Sequence, residues 1–224
     1  MKRGLFGWLA VGVAVSAFAR PAAYQEREGR VVLDSVEGHG GAVAWSMKKA
    51  GDVKESGDAL SKPEYAAEGW MPAMVPGTVL SSLVRNKVYP APDYGLNNKK
   101  TQKLIPDLNE AGRDFYTYWF RAAFDLPADF KGKTVWMRTD GINYRSEIWL
   151  NGKLAFCTAG MFCQEFVNVT DYVQPGKPNA IAVKVFPVDT PGDTKLKAWG
   201  AANNEFRNGG DGEIGKNVTM LMSV

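Results

Sequence analysis

Hydrophobic and polar residues alternate most regularly in the middle of the chain. In residues 115–124 one face is apolar throughout, with Tyr116, Tyr118, Phe120, Ala122 and Phe124. Residues 147–156, 164–169 and 180–186 show the same period of two, which is typical of strands because successive side chains point to opposite faces. Short strands about ten residues apart, with turn residues between them, predict an all-β sandwich.

Residues 135–156 carry the two clearest turns of this pattern. Asn151 and Gly152 form the pair that best tolerates the positive φ angles of a tight hairpin. Upstream, residues 140–144 connect two strands and bring together the carboxylate of Asp140, the amide of Asn143 and the phenol of Tyr144. We expect these groups either to bind hydroxyl groups of a ligand or to satisfy backbone groups of a structural turn.

The remaining segments predict one short helix and long loops. Four apolar residues follow Thr78 at helical spacing, and the Thr78 hydroxyl suits the first position of a helix. Residues 48–68 are polar and predict a loop or an edge. Residues 89–109 predict a long loop rich in aromatic and amide groups, and loops of that length are often functional or interfacial.

The chain begins with the features of an export signal. Lys2 and Arg3 precede an apolar run over residues 5–15, and Ala17-Phe18-Ala19 has the small residues that signal peptidase requires. The run is shorter than the roughly 20 apolar residues of a membrane span. We expect cleavage after Ala19, a periplasmic or extracellular protein, a loosely ordered segment over residues 20–42 and a sandwich over residues 43–224.

Composition excludes several classes of function. The chain has 224 residues, with 27 Lys and Arg against 24 Asp and Glu. Removal of Lys2 and Arg3 leaves the mature chain nearly neutral, so we expect neither nucleic acid nor a membrane as partner. The length accommodates one large β domain but not an additional catalytic barrel of about 250 residues. The single histidine, His39, is far in sequence from both cysteines, so we expect no metal and no cofactor.

Two groups of residues have open interpretations. Cys157 and Cys163 either close a short disulfide in an exported protein or remain two free, buried thiols. Trp119, Trp136 and Trp149 either form an aromatic platform for a glycan or belong to the core.

Six short motifs occur in an order that resembles a known family. They lie at residues 75–80, 94–98, 113–120, 140–152, 160–162 and 169–170, and the most distinctive read Val75-Pro76-Gly77-Thr78, Tyr94-Gly95-Leu96-Asn97-Asn98 and Ile148-Trp149-Leu150-Asn151-Gly152. This order is similar to the N-terminal sugar-binding domain of glycoside hydrolase family 2, and within it to the exo-β-glucosaminidase and β-mannosidase branch. The resemblance covers the chain from about Trp70 onward.

The resemblance implies a galactose-binding-like jelly roll without catalytic residues of its own. In the intact enzymes an immunoglobulin-like domain and a (β/α)₈ barrel follow, and the barrel holds both catalytic glutamates. It also implies that the loop around residue 94 faces the barrel, where it shapes the substrate pocket or packs between domains. The substrate-binding candidates are then Tyr94, Asn97, Asn98, Asp140, Asn143 and Tyr144.

The expected function is therefore that of a non-catalytic sugar-binding domain from a glycosidase of β-linked hexoses or hexosamines. Its expected partners are such a glycan and the downstream immunoglobulin-like and barrel domains. In similar proteins a Gly-Trp-Asp-Trp run and a last strand follow the region that ends here at Met222-Ser223-Val224, so we expect an N-terminal fragment that lacks this strand. The alternative is a free-standing secreted carbohydrate-binding module.

Overall fold

A six-stranded antiparallel sheet forms the larger layer of the molecule. The computed structural model describes residues 29–35, 43–97, 99–106, 111, 113–143, 145–160, 163–187 and 221–223. In spatial order the strands of the large sheet are β2 (Met71–Pro72), β1 (Trp45–Lys49), β4 (Tyr118–Asp125), β10 (Pro178–Phe186), β7 (Arg145–Leu150) and β8 (Lys153–Ala159). All neighbouring strands in it are antiparallel.

Two smaller sheets are also present. One is a ribbon of β5 (Trp136–Thr139) and β9 (Glu165–Asn168). The other contains β3 (Gly77–Thr78), β6 (Gly141–Ile142) and β11 (Leu221–Ser223), with β11 between the other two. The main core combines inward residues of the large sheet, such as Phe120 and Val183, with residues of these smaller sheets and their flanks, such as Ile142 and Val169. This architecture confirms the predicted all-β sandwich.

The predicted hairpin and helix are both confirmed. Asn151 and Gly152 have φ angles of 47° and 86° and connect β7 to β8. Helix α2 (Val79–Arg85) begins after Thr78, whose hydroxyl accepts a hydrogen bond from the Ser81 amide, while the Ser81 hydroxyl accepts one from the Thr78 amide. This reciprocal cap satisfies two backbone donors that the first turn of a helix otherwise leaves unpaired.

The prediction of a loop or edge over residues 48–68 misses the role of this segment. β1 continues to Lys49, and a 3₁₀ turn (Ala50–Asp52) and helix α1 (Gly57–Leu60) follow. Leu60 packs with Trp119 and Ala182 on the side of the large sheet opposite the main core. The guanidinium of Arg121 donates to the carbonyl oxygens of Leu60 and Lys62, at 2.9 and 3.0 Å. Strand β4 is consequently buried on both faces near its start.

Two further boundaries differ from the sequence prediction. The strand predicted from residue 115 begins at Tyr118, because Arg113–Tyr116 forms a 3₁₀ turn in which the hydroxyl of the buried Tyr116 donates to the carbonyl of Pro106. Other 3₁₀ turns lie at Lys100–Gln102 and Ala128–Phe130.

Residues 33–35, which belong to the segment expected to be loosely held, are hydrogen bonded to the sandwich. The Ser35 amide donates to the Val75 carbonyl at 2.7 Å, and the Leu33 carbonyl accepts from the Trp45 indole at 2.8 Å. None of the helices in the described residues is both long and apolar enough to span a bilayer.

Candidate functional site

The carboxylate of Asp140 lies at the end of β5 and is held by two side chains. The Arg138 guanidinium approaches it through two nitrogens, with Nε 2.9 Å from Oδ1 and Nη2 3.0 Å from Oδ2. The amide of Gln164, just before β9, donates to Oδ1 at 3.0 Å. Paired contacts of this kind fix both the position and the orientation of a carboxylate. Arg138 and Gln164 were not among the residues predicted from the sequence.

Two buried oxygens close to Asp140 in the chain have no hydrogen-bond partner among the described residues. They are Oγ1 of Thr139, which is fully buried, and Oδ1 of Asn143, whose side chain is only 5% exposed. An unpaired buried polar atom costs about 1–3 kcal/mol. Tyr144, the third sequence candidate of this connection, lies outside the described residues.

A cavity of about 380 Å³ lies between residues 29–33 and β5. Its lining is largely apolar and includes Phe124, Leu126, Phe130, Leu150 and Val169. Arg30, Arg138 and Asp140 provide the charged part of the lining. The volume is within the range of about 300–1,000 Å³ that is usual for small-molecule sites. Asp140 is the single carboxylate among the described residues that line it.

The long loop does not join this group through its side-chain hydrogen bonds. The Asn97 amide donates to the carbonyl of Ala91 at 2.8 Å, within the same loop. Tyr94 is 78% exposed. In the described part of the chain, no hydrogen bond links either side chain to Asp140. Asn98 lies outside the described residues, so the predicted sugar-binding role of this loop stays a prediction.

The three tryptophans do not form one platform. Trp119 is 5% exposed and lies in the cluster beneath α1, and the partly buried Trp149 packs against that same cluster. Trp136 belongs to β5 in a different sheet and is 60% exposed. The interpretation as a shared glycan platform is therefore wrong, because Trp119 and Trp149 pack against residues 50–70, the covering segment, which lies on the large sheet.

Trp136 instead has an aromatic neighbour that sequence reasoning missed. Phe166 of β9 is 61% exposed, and the ribbon register pairs Arg138 with Phe166 and Trp136 with Asn168. Trp136 and Phe166 are thus diagonal neighbours across the two strands. The signal was present in the sequence, because a strand over residues 164–169 with Val167 facing inward must direct Phe166 outward.

Cys157 and Cys163 are both exposed at the surface. Burial against its neighbours, and then the Glu147 carboxylate opposite it on β7, raise the pKa of the Cys157 thiol. The interpretation as two buried thiols does not fit this exposure. A disulfide between Cys157 and Cys163 is untested and stays a prediction.

Comparison with known proteins places this fold among glycoside hydrolases. The profile described as "Glycosyl hydrolase 2 galactose-binding domain-like" matches residues 45–213. A mannosylglycoprotein endo-beta-mannosidase of Lilium longiflorum is 35% identical over 193 residues, which cover 85% of this chain and 18% of the relative. An exo-beta-D-glucosaminidase of Streptomyces avermitilis is 26% identical over 159 residues, covering 69% of this chain and 16% of that protein.

Among solved structures, the exo-chitosanase CsxA of Amycolatopsis orientalis superposes with a TM-score of 0.56 at 22% identity, over 66% of this chain and 16% of that chain. At this identity the likeness concerns the fold, and it agrees with the galactose-binding-like sandwich. The chain spans less than a fifth of the length of these relatives. The profile match over most of the chain shows that this protein belongs to the glycosyl hydrolase 2 galactose-binding domain-like family.

Proposed function

We propose that this chain serves as the sugar-binding domain of a larger glycosidase that hydrolyses β-linked hexose or hexosamine glycosides. The observation that carries the proposal is the match to the lily endo-beta-mannosidase over 85% of the chain but only 18% of that enzyme. The match to the Streptomyces exo-beta-D-glucosaminidase likewise covers most of this chain, 69%, but only 16% of that enzyme. In this proposal the chain holds and helps to enclose the substrate, while other domains carry out the chemistry.

The described residues support a non-catalytic role for the chain itself. Retaining glycosidases need two carboxyl groups about 5 Å apart, one as nucleophile and one as acid and base. Asp140 is the single acidic residue among the described residues that line the cavity.

Two measurements test this proposal. In the source organism, an antibody raised against the chain should detect a protein several times longer than 224 residues. That protein should release nitrophenol from nitrophenyl β-mannoside or nitrophenyl β-glucosaminide. The chain alone should release none. Detection of the 224-residue chain alone would favour a free-standing carbohydrate-binding module, to which the exposed rings of Trp136 and Phe166 are suited. Hydrolysis by the purified chain would contradict both functions.

A further inference from the structure

We infer that the outward face of the β5–β9 ribbon binds a β-linked oligosaccharide. Trp136 and Phe166 supply the stacking surface, and Arg138, Asp140 and Gln164 supply the hydrogen-bonding groups. The inference rests on the proposed function for the class of ligand, but it assigns the binding to a surface that the family match does not specify.

The ribbon register places these five residues on one surface. Side chains at alternate positions of a strand share a face, so Trp136 and Arg138 point outward from β5 while Phe166 and Asn168 point outward from β9. Arg138 lies opposite Phe166, and Trp136 lies opposite Asn168. Diagonal neighbours on adjacent strands are about 7–8 Å apart, within the reach of aromatic side chains. Asp140 and Gln164 extend the same surface past the ends of the two strands, where they are hydrogen bonded to each other.

The two aromatic rings are exposed although their strands are firmly packed. Met137 and Val167, which are paired across the ribbon, pack inward against the main core. Trp136 and Phe166 remain 60% and 61% exposed on the opposite side. Single exposed apolar residues are normal, but two large exposed rings at diagonal positions on one face form a patch of the kind that marks binding sites.

The polar half of the surface is already ordered. Asp140 is held by two contacts to Arg138 and one to Gln164, at 2.9–3.0 Å. Arg138 keeps further N–H donors, and Gln164 keeps its carbonyl oxygen as an acceptor. Because these groups fix one another, a ligand would not have to immobilise them, and less binding energy is lost on ordering.

The size and charge of the surface fit a glycan better than other partners. Five side chains form it, whereas a stable protein interface uses about 20–30 residues on each side. Arg138 and Asp140 neutralise each other, so the five side chains carry no net charge, whereas binding of a phosphate backbone depends on unpaired basic residues. A pyranose presents an apolar C–H face beside hydroxyls that both donate and accept. The aromatic pair and the Arg138–Asp140–Gln164 group match these two features side by side.

Trp136, Arg138 and Asp140 also line the cavity of about 380 Å³ between β5 and residues 29–33, so the polar end of the ribbon borders that cavity.

Titration calorimetry of the full chain with mannohexaose and with chitohexaose tests the inference. Trp136→Ala and Phe166→Ala should each weaken binding at least tenfold, and Arg138→Met should weaken it severalfold. Leu154→Ala is the matched control, because Leu154 is also an exposed apolar residue but lies on β8 at the edge of the large sheet. All four substitutions change surface positions, and equal thermal transitions would show that the fold is retained.

Three outcomes would be informative. Loss of binding in the ribbon variants alone supports the assignment. Unchanged affinity in Trp136→Ala and Phe166→Ala overturns it, and the sugar would then bind elsewhere while the proposed glycosidase role stands. If the unmodified chain binds neither hexasaccharide, the ribbon surface is likewise refuted, and the length and activity of the natural protein still decide the proposed function separately.

Discussion

Gly57 and Trp149 show how closely the covering segment approaches the large sheet. A Cβ atom built on Gly57 would overlap the indole ring of Trp149. The indole nitrogen of Trp149 is buried and has no hydrogen-bond partner among the described residues. The ring is therefore positioned by packing, and a side chain at residue 57 would displace it.

Gly57→Ala should lower the free energy of unfolding by about 1–3 kcal/mol, the usual cost of overpacking. The better helix propensity of alanine offsets only part of this cost. Gly51→Ala is the control, because a Cβ on Gly51 would meet nothing within 4 Å, and its effect should stay within about 0.5 kcal/mol. Urea unfolding followed by tryptophan fluorescence measures both variants. Equal midpoints for the two would show that residue 57 tolerates a side chain.

Tyr118 makes stability depend on pH in the alkaline range. Burial, followed by the proximity of Tyr89 and Asp52, raises the pKa of Tyr118 to about 12. The unfolded chain releases this proton near pH 10, whereas the folded chain holds it until about pH 12. The contribution of Tyr118 to stability is therefore complete below pH 10 and is lost as the pH rises from 10 to 12.

Tyr118→Phe should accordingly reduce the loss of stability at high pH. Between pH 9 and 11.5 the unmodified chain should lose about 2 kcal/mol more than the variant, because phenylalanine has no proton to release. Urea unfolding at the two pH values gives this difference, and absorbance at 295 nm reports tyrosinate formation. Parallel losses in both proteins would show that other groups cause the alkaline dependence.

Among the elements, the alternating strands were predictable and the covering segment was not. Residues such as Phe120, Val183 and Ile148 reveal their face by a period of two, and Asn151-Gly152 reveals a turn by its tolerance of positive φ. Residues 50–70 are held by different means: the Leu60 and Lys62 carbonyls bind Arg121, and a glycine allows Trp149 to approach. A hydrophobic pattern does not reveal hydrogen bonds to backbone carbonyls or the close approach of a ring to a glycine. The polar residues 48–68 were therefore interpreted as a loop or an edge.

Arg121→Leu should loosen this covering segment selectively. Burial lowers the pKa of the Arg121 guanidinium, and the group donates to two carbonyls of the segment. Without it, amide hydrogen exchange in residues 57–65 should accelerate at least tenfold, and the free energy of unfolding should fall by about 1–3 kcal/mol.

Arg85→Leu controls for the loss of a positive charge, since Arg85 is an exposed residue in the last turn of α2. Its exchange pattern over residues 57–65 should match that of the unmodified chain. If both variants accelerated exchange equally, the bonds from Arg121 would not be what holds the segment.

For the whole molecule, family membership was predictable while the composition of the site was only partly so. The ordered motifs identified the domain type, and Asp140 does lie in a ligand-sized cavity. Arg138, Gln164 and Phe166 were missed because they come together only when β5 pairs with β9, a contact between residues more than 20 positions apart. Pairing of distant strands depends on the packing of the whole sandwich, which local sequence patterns do not describe.

Export is the remaining proposal at this scale. When the 224-residue chain is expressed in a bacterium, the mature protein should begin at Arg20, because Ala17-Phe18-Ala19 has the residues required for signal peptidase. N-terminal sequencing of the periplasmic fraction measures this start. Ala19→Arg should block cleavage and leave Met1 or Lys2 at the N-terminus. An unprocessed chain in the cytoplasm without that substitution would refute the proposal.

Under the proposed binding role, the ribbon of β5 and β9 separates recognition from folding. Its inward residues, Met137 and Val167, pack against the core, whereas Trp136, Arg138 and Phe166 are exposed and do not belong to the main core cluster. Descendants of this domain can therefore change these three outward residues in few mutational steps without losing the thermal stability of the fold. Such a surface can diversify quickly among gene duplicates, so related enzymes with nearly superimposable sandwiches would come to prefer different polysaccharides.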